Sequence, residues 1–118
     1  MTDFTFNGQL TATNSRDENV QSQSKVTIPI SGCTEMKIIK WNLTNIYGKT
    51  YPRSWIYVDG TAVKSYVQSN NSGYTNHDIG WNGSSIDLTG HNTLTLQVGD
   101  ASYYGGAYVR FDYEFILE

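Results

Sequence analysis

Residues 92–98 alternate without interruption, with Leu94, Leu96 and Val98 pointing one way and Thr93, Thr95 and Gln97 the other. Ala107–Leu117 repeats the pattern at greater length. Val109, Phe111, Tyr113, Phe115 and Leu117 share one face, and Tyr108, Arg110, Asp112 and Glu114 share the opposite one. Successive side chains of a strand point to opposite faces of a sheet, so period two predicts one buried face and one wet face. The two segments are the predicted two-strand spine of an antiparallel sandwich, joined by a Tyr-bearing loop over residues 99–106. Leu94, Leu96, Phe111, Tyr113 and Phe115 are the predicted centre of the core.

The rest of the chain reads as short strands. Residues 3–13 alternate, with Phe4, Phe6, Leu10 and Ala12 at one parity, and Asn7-Gly8 marks either a tight hairpin or a bulge within them. Residues 14–24 are polar apart from Val20 and read as an exposed connection. Residues 25–30 form a strand in which Pro29, unable to donate to a ladder, belongs on an edge or at a strand end. Residues 35–46 form a long strand with Ile39, Trp41 and Leu43 on one face. Ile38 breaks that alternation and implies cover on both faces there. Trp55-Ile56-Tyr57-Val58 is apolar at every position, which places it centrally and assigns Trp55, like Trp41, to the core. Asp59-Gly60 is the strongest hairpin signal, and residues 62–67 return from it. Residues 78–81 and 86–88 follow as short strands separated by Asn82-Gly83.

No window shows helical periodicity, and β-branched and aromatic residues dominate the apolar set. Eight or nine short strands predict an all-β sandwich or barrel, one domain over residues 1–118. Antiparallel strands deliver loops alternately to the two ends. Residues 47–53 and 68–76 then share an end. Residues 99–106 join them if Asn82-Gly83 is a bulge inside one descending segment, and lie opposite if it is a hairpin.

Composition narrows the partners. Charged residues make up 16% of the chain, against about 25% in soluble domains. Net charge is −3 and the pI about 5.2, so a phosphate backbone is not an expected partner. Cys33 is alone, which excludes an intrachain disulfide and suits a buried, inert thiol. Residues 1–10 lack an apolar signal-like run, and no stretch approaches membrane-spanning length; a soluble protein without membrane insertion is expected.

Candidates for chemistry are few. His77 and Asp78 are adjacent in a strand, face opposite ways and cannot form a dyad. The carboxylates Asp59, Asp78, Asp87, Asp100, Asp112 and Glu114 read as turn or wet-face residues, so no enzyme is expected. The polar run Asn14-Ser15-Arg16-Asp17-Glu18-Asn19 offers oxygen ligands suited to calcium, although Arg16 and the lack of EF-hand spacing favour a solvated loop. No cofactor is expected otherwise, and two His with one Cys argue against zinc. Asn42-Leu43-Thr44, Asn70-Asn71-Ser72 and Asn82-Gly83-Ser84 match glycosylation acceptors, at a frequency chance explains.

The aromatic content is high: nine Tyr, four Phe and three Trp. Tyr47, Tyr51, Tyr74, Tyr103 and Tyr104 fall in predicted loops, where they either cap the sandwich ends or recognise a ligand. Tyrosine combines a flat apolar ring with a polar tip at low rotamer cost, which suits recognition. The candidate contact set is Tyr51, Arg53, Tyr74, Asn76, Asp100, Tyr103 and Tyr104, with rings for stacking and the others for hydroxyl pairing.

Trp55-Ile56-Tyr57-Val58-Asp59-Gly60 and Ile86-Asp87-Leu88-Thr89-Gly90-His91-Asn92-Thr93-Leu94-Thr95-Leu96-Gln97-Val98 resemble the galactose-binding-domain-like jelly rolls that often accompany glycoside hydrolases. The resemblance covers under half of the chain and rests on packing and turn residues. It implies a jelly roll and a carbohydrate-binding role, while the ligand-contacting loops of that family vary freely. The abundance of Thr, Asn, Ser, Gly and Tyr also looks like small virion proteins of bacteriophages. Two functions are therefore expected in order. One is a non-catalytic module binding a neutral carbohydrate. The other is a virion or adhesion protein whose loops dock to protein, with virion or cell-surface association. A low-charge, aromatic surface further predicts a homo-oligomer, dimer or trimer.

Overall fold

The computed structural model describes residues 3–14, 22–47, 52–67, 76–78, 84–100 and 107–118. They form nine strands: β1 (Phe4–Asn14), β2 (Ser22–Pro29), β3 (Glu35–Tyr47), β4 (Pro52–Val58), β5 (Thr61–Val67), β6 (Asn76–Asp78), β7 (Ser84–Asp87), β8 (Thr93–Asp100) and β9 (Ala107–Leu117). Sheet A has the order β1-β9-β3-β6, with β7 also paired to β3, and sheet B has the order β2-β8-β4-β5. Every pairing is antiparallel. Because β6 and β7 occupy one place beside β3, the order is that of an eight-place jelly roll. Asn76–Asp78 pairs with residues 42–44 and Ser84–Asp87 with residues 35–38, so the chain keeps one direction along β3 across Asn82-Gly83.

The sandwich and its strand count agree with the alternation, but the spine is built differently from expectation. β8 and β9 are not ladder neighbours. β8 lies between β2 and β4, β9 lies between β1 and β3, and the two face each other across the core. Both inner faces are apolar, and two apolar faces bury more surface by stacking than side-by-side strands would. Leu94, Leu96, Phe111 and Phe115 are fully buried and Tyr113 is 6% exposed. Trp41, Phe111, Tyr113 and Phe115 form a run of ring contacts at 5.5–5.6 Å. The Trp41 indole N–H donates to the buried Ser54 hydroxyl at 2.6 Å, linking β3 of sheet A to β4 of sheet B. Cys33 is buried, as expected.

Three local expectations are corrected. Asn7-Gly8 is neither a turn nor a bulge: β1 runs unbroken beside β9 from Phe4↔Leu117 to Asn14↔Ala107. Glycine is there because a Cβ would stand 2.8 Å from the Tyr113 hydroxyl and 3.1 Å from its ring. The break at Ile38 reflects a register shift between Ile38 and Lys40, not cover on both faces. The bulge keeps Ile38 and Trp41 in the core and turns Ile39 outward at 38% exposure. Trp55 is not in the core. β4 alternates buried and half-buried from Pro52 to Val58, with Ser54, Ile56 and Val58 inward and Trp55 and Tyr57 outward. β4 is nevertheless interior in strand order, as placed. Pro29 satisfies both readings, being the last residue of the edge strand β2. β2 begins at Ser22, inside the expected connection, and the two short strands are shifted to Asn76–Asp78 and Ser84–Asp87.

Candidate functional site

The turns gather at one end of the sandwich. Asp59 (φ 50°) and Gly60 (φ 80°) both take the left-handed backbone that a tight hairpin of this type needs. The Asp59 carboxylate then reaches the turn before β8. Its Oδ1 accepts the backbone N–H groups of Asn92 and Thr93, each at 3.0 Å, and its Oδ2 lies 2.8 Å from His91 Nδ1. The His91 hydrogen bond, then those from Asn92 and Thr93, hold the Asp59 carboxyl down to about 2. Asp87 is lowered more modestly by the Thr89 N–H it accepts at 2.9 Å. The two halves of the quoted jelly-roll pattern therefore meet through one carboxylate, whose job is to clamp a hairpin to a turn.

The opposite end carries the longer connections. Asn14↔Ala107, Ser22↔Asp100, Pro52↔Asp100, Arg53↔Val67 and Tyr47↔Tyr108 are the outermost register pairs there, and Thr44↔Asn76 lies close behind. These strand ends flank residues 15–21, 48–51, 68–75 and 101–106. The first of these segments was not foreseen as a neighbour of the other three.

Of the predicted contact set, Tyr51, Tyr74, Tyr103 and Tyr104 lie outside the described residues, as do residues 15–19 of the calcium candidate. Asn76 is the first residue of β6 and Asp100 the last of β8, so both are strand ends and not loop residues. Arg53 belongs to β4 and is half-buried. No group of three or more His, Cys, Asp or Glu capable of holding a metal occurs among the described residues, and no helix there is long and apolar enough to cross a membrane.

Two wet faces complete the surface. On sheet A, a groove of ≈ 320 Å³ runs past Asn7, Gly8, Gln9, Lys40, Asp112 and Glu114. On sheet B, a groove of ≈ 200 Å³ is lined by Lys25, Tyr57, Gly60, Thr95 and Gln97. Lys25, Gln97, Trp55 and Ser65 form one outward cross-strand row, and Thr27, Thr95, Tyr57 and Ala62 form the next. The Thr27 and Thr95 hydroxyls hydrogen-bond at 2.8 Å. Sequence reasoning missed this face by counting Trp55 as core and reading both faces of β4 as apolar. The available signal was parity: Ile56 and Val58 are aliphatic, whereas Trp55 and Tyr57 alternate with them and carry polar tips.

The chain matches no protein-family model and no curated protein. Solved structures are similar to it at low identity. A mutant VP2 protein of infectious bursal disease virus has a TM-score of 0.51 at 14% identity over 98% of this chain and 31% of that one. Dimeric latent PorU from Porphyromonas gingivalis has a TM-score of 0.51 at 12% identity over 96% of this chain and 12% of that one. A family 35 carbohydrate binding module from Clostridium thermocellum has a TM-score of 0.40 at 14% identity, covering 97% and 90% of the two chains. This chain thus spans under a third of the viral protein and about an eighth of PorU. At such identities the likeness to VP2 and PorU shows the fold alone.

Proposed function

We propose that this chain is a non-catalytic recognition module that binds a neutral carbohydrate through the end carrying its long connections. The observation behind this reading is the register: the strand ends flanking residues 48–51, 68–75 and 101–106 all lie at one end, and those segments contain Tyr51, Tyr74, Tyr103 and Tyr104. A rigid sandwich with variable connections at one end is the arrangement in which binding residues usually sit. Arg53, Asn76 and Asp100, at the strand ends below, supply polar partners for sugar hydroxyls. A glycan array tests it: wild type binds a neutral oligosaccharide and the Tyr103→Ala/Tyr104→Ala double variant loses that binding with its fold intact. Binding by the double variant equal to wild type refutes the contact set.

A second reading, a self-assembling virion or adhesion protein, is favoured by the edge strand β1. Its eleven residues contain no charge and no proline, and its pairing with β9 has no register shift. The other edges carry the usual protection against edge-to-edge pairing. β2 has Lys25 and Pro29, β5 has Lys64 opposite a bulge, and β6 and β7 are three and four residues long. In this reading β1 pairs with a second copy and the loops dock to protein. Light scattering at high concentration decides it: a homo-oligomer supports assembly and a strict monomer removes it.

A further inference from the structure

We infer that the outward face of sheet B is a second binding surface, distinct from the loop-bearing end, and that it takes an acidic glycan. Trp55 and Tyr57 stand two residues apart on β4, so their Cα atoms are about 6.6 Å apart along the strand. Both are half-buried, with their outer surfaces open to solvent. Neither side chain forms a hydrogen bond or ring contact among the described residues. Such rings present flat apolar surfaces with polar tips, the form that stacks on the C–H face of a sugar. Thr27, Thr95 and Gln97 flank them in register.

Charge selects the class of sugar. Lys25 is exposed, lines the groove beside Tyr57, and makes no ion pair among the described residues. Apart from the strand-end residue Asp100, no position of β2, β8, β4 or β5 holds Asp or Glu. Asp59, next to the groove residue Gly60, is engaged by His91, Asn92 and Thr93. A chain of net charge −3 thus keeps one face positive. A carboxylate-bearing sugar chain matches it: rings for the pyranose faces, hydroxyl and amide groups for the sugar hydroxyls, an ammonium for the carboxylate. A single lysine falls short of the continuous positive track that a single-stranded nucleic acid occupies.

The test is calorimetric titration of the full chain with tetragalacturonate, a hyaluronan tetrasaccharide and sialyllactose, beside the methyl ester of tetragalacturonate and an oligothymidylate. At least one acidic sugar binds at millimolar concentration, more tightly than the ester and oligothymidylate, and with affinity that falls as salt rises. Trp55→Ala weakens that binding about tenfold. Lys25→Gln, which touches no packing, removes the preference for acid over ester and keeps the test open should Trp55→Ala fold poorly. The Tyr103→Ala/Tyr104→Ala double variant leaves it unchanged, which separates this surface from the loop site. Absence of binding to all three acids overturns the inference. So does equal binding of acid and ester, tighter binding of oligothymidylate, or loss in the double tyrosine variant with retention in Trp55→Ala and Lys25→Gln.

Discussion

The outward face of sheet A carries Lys37, Lys40, Arg110, Asp112 and Glu114, while that of sheet B carries Lys25, Thr27, Trp55, Tyr57, Thr95 and Gln97. On sheet A the charges answer one another. Arg110 pairs with Asp112 at 2.9 Å, Lys37 pairs with Glu118 at 3.2 Å, and Lys40 stands opposite Glu114 in the ladder. The Glu118 contact raises the Lys37 pKa further above its usual range. Sheet B places rings where sheet A places ion pairs, and its Lys25 makes no ion pair among the described residues. One rule of alternation made both faces wet; the residues chosen made one a solvated charge network and the other a surface of rings, hydroxyls and one lysine.

The comparison breaks most readily at its two tryptophans. Trp41, between Lys40 and Asn42, is inside, and Trp55, in an apolar run, is outside. Trp41→Ala is expected to lower stability by about 3–5 kcal/mol through the cavity it leaves, whereas Trp55→Ala stays within about 0.5–1 kcal/mol, as surface changes do. Urea denaturation of both variants checks this. Equal losses would return Trp55 to the core and remove the sheet-B surface.

Gly8→Ala sharpens the account of sheet A. The added methyl meets the Tyr113 hydroxyl and ring, an overpacking that costs about 1–3 kcal/mol. A thermal melt of Gly8→Ala, and of Gly8→Ala with Tyr113→Phe, reads the cost and its partial relief. No loss in the single variant would mean that Gly8 serves the backbone and not the ring.

The charge network of sheet A should matter less. Arg110→Ala is expected to cost no more than about 1 kcal/mol, since exposed pairs contribute little. The loss should shrink as salt is added. A loss that ignores salt points to packing by the Arg110 stem instead of charge.

The smallest effect belongs to the clamp at Asp59. Its carboxyl sits at about 2 in the folded chain against an ordinary 3.8. A lowered folded-state pKa stabilises above the unfolded value, and that contribution is lost as pH falls from 3.8 towards 2. Asp59→Asn therefore flattens the dependence of Tm on pH across that window, and His91→Ala moves the window up towards 3.8. An Asp59→Asn curve parallel to wild type would show that the clamp does not titrate with folding.

Much of this architecture follows from the chain itself. The alternation in β1, β8 and β9 assigns each residue to a wet or dry side, because a strand allows no other period. Asp59-Gly60 dictates a hairpin through the left-handed backbone it tolerates. Pro29 marks an edge because it lacks a donor. The tertiary structure decided the rest. That β8 and β9 face each other follows from burying two apolar faces at once, which local pattern does not encode. Gly8 is explained only by the Tyr113 ring across the ladder, and the exposure of Ile39 only by a bulge against β9. Trp55 is the instructive case. Period two states that Trp55 and Ile56 lie on opposite faces; which of two apolar faces meets the core depends on what packs against it, and sheet A covers the side of Ile56.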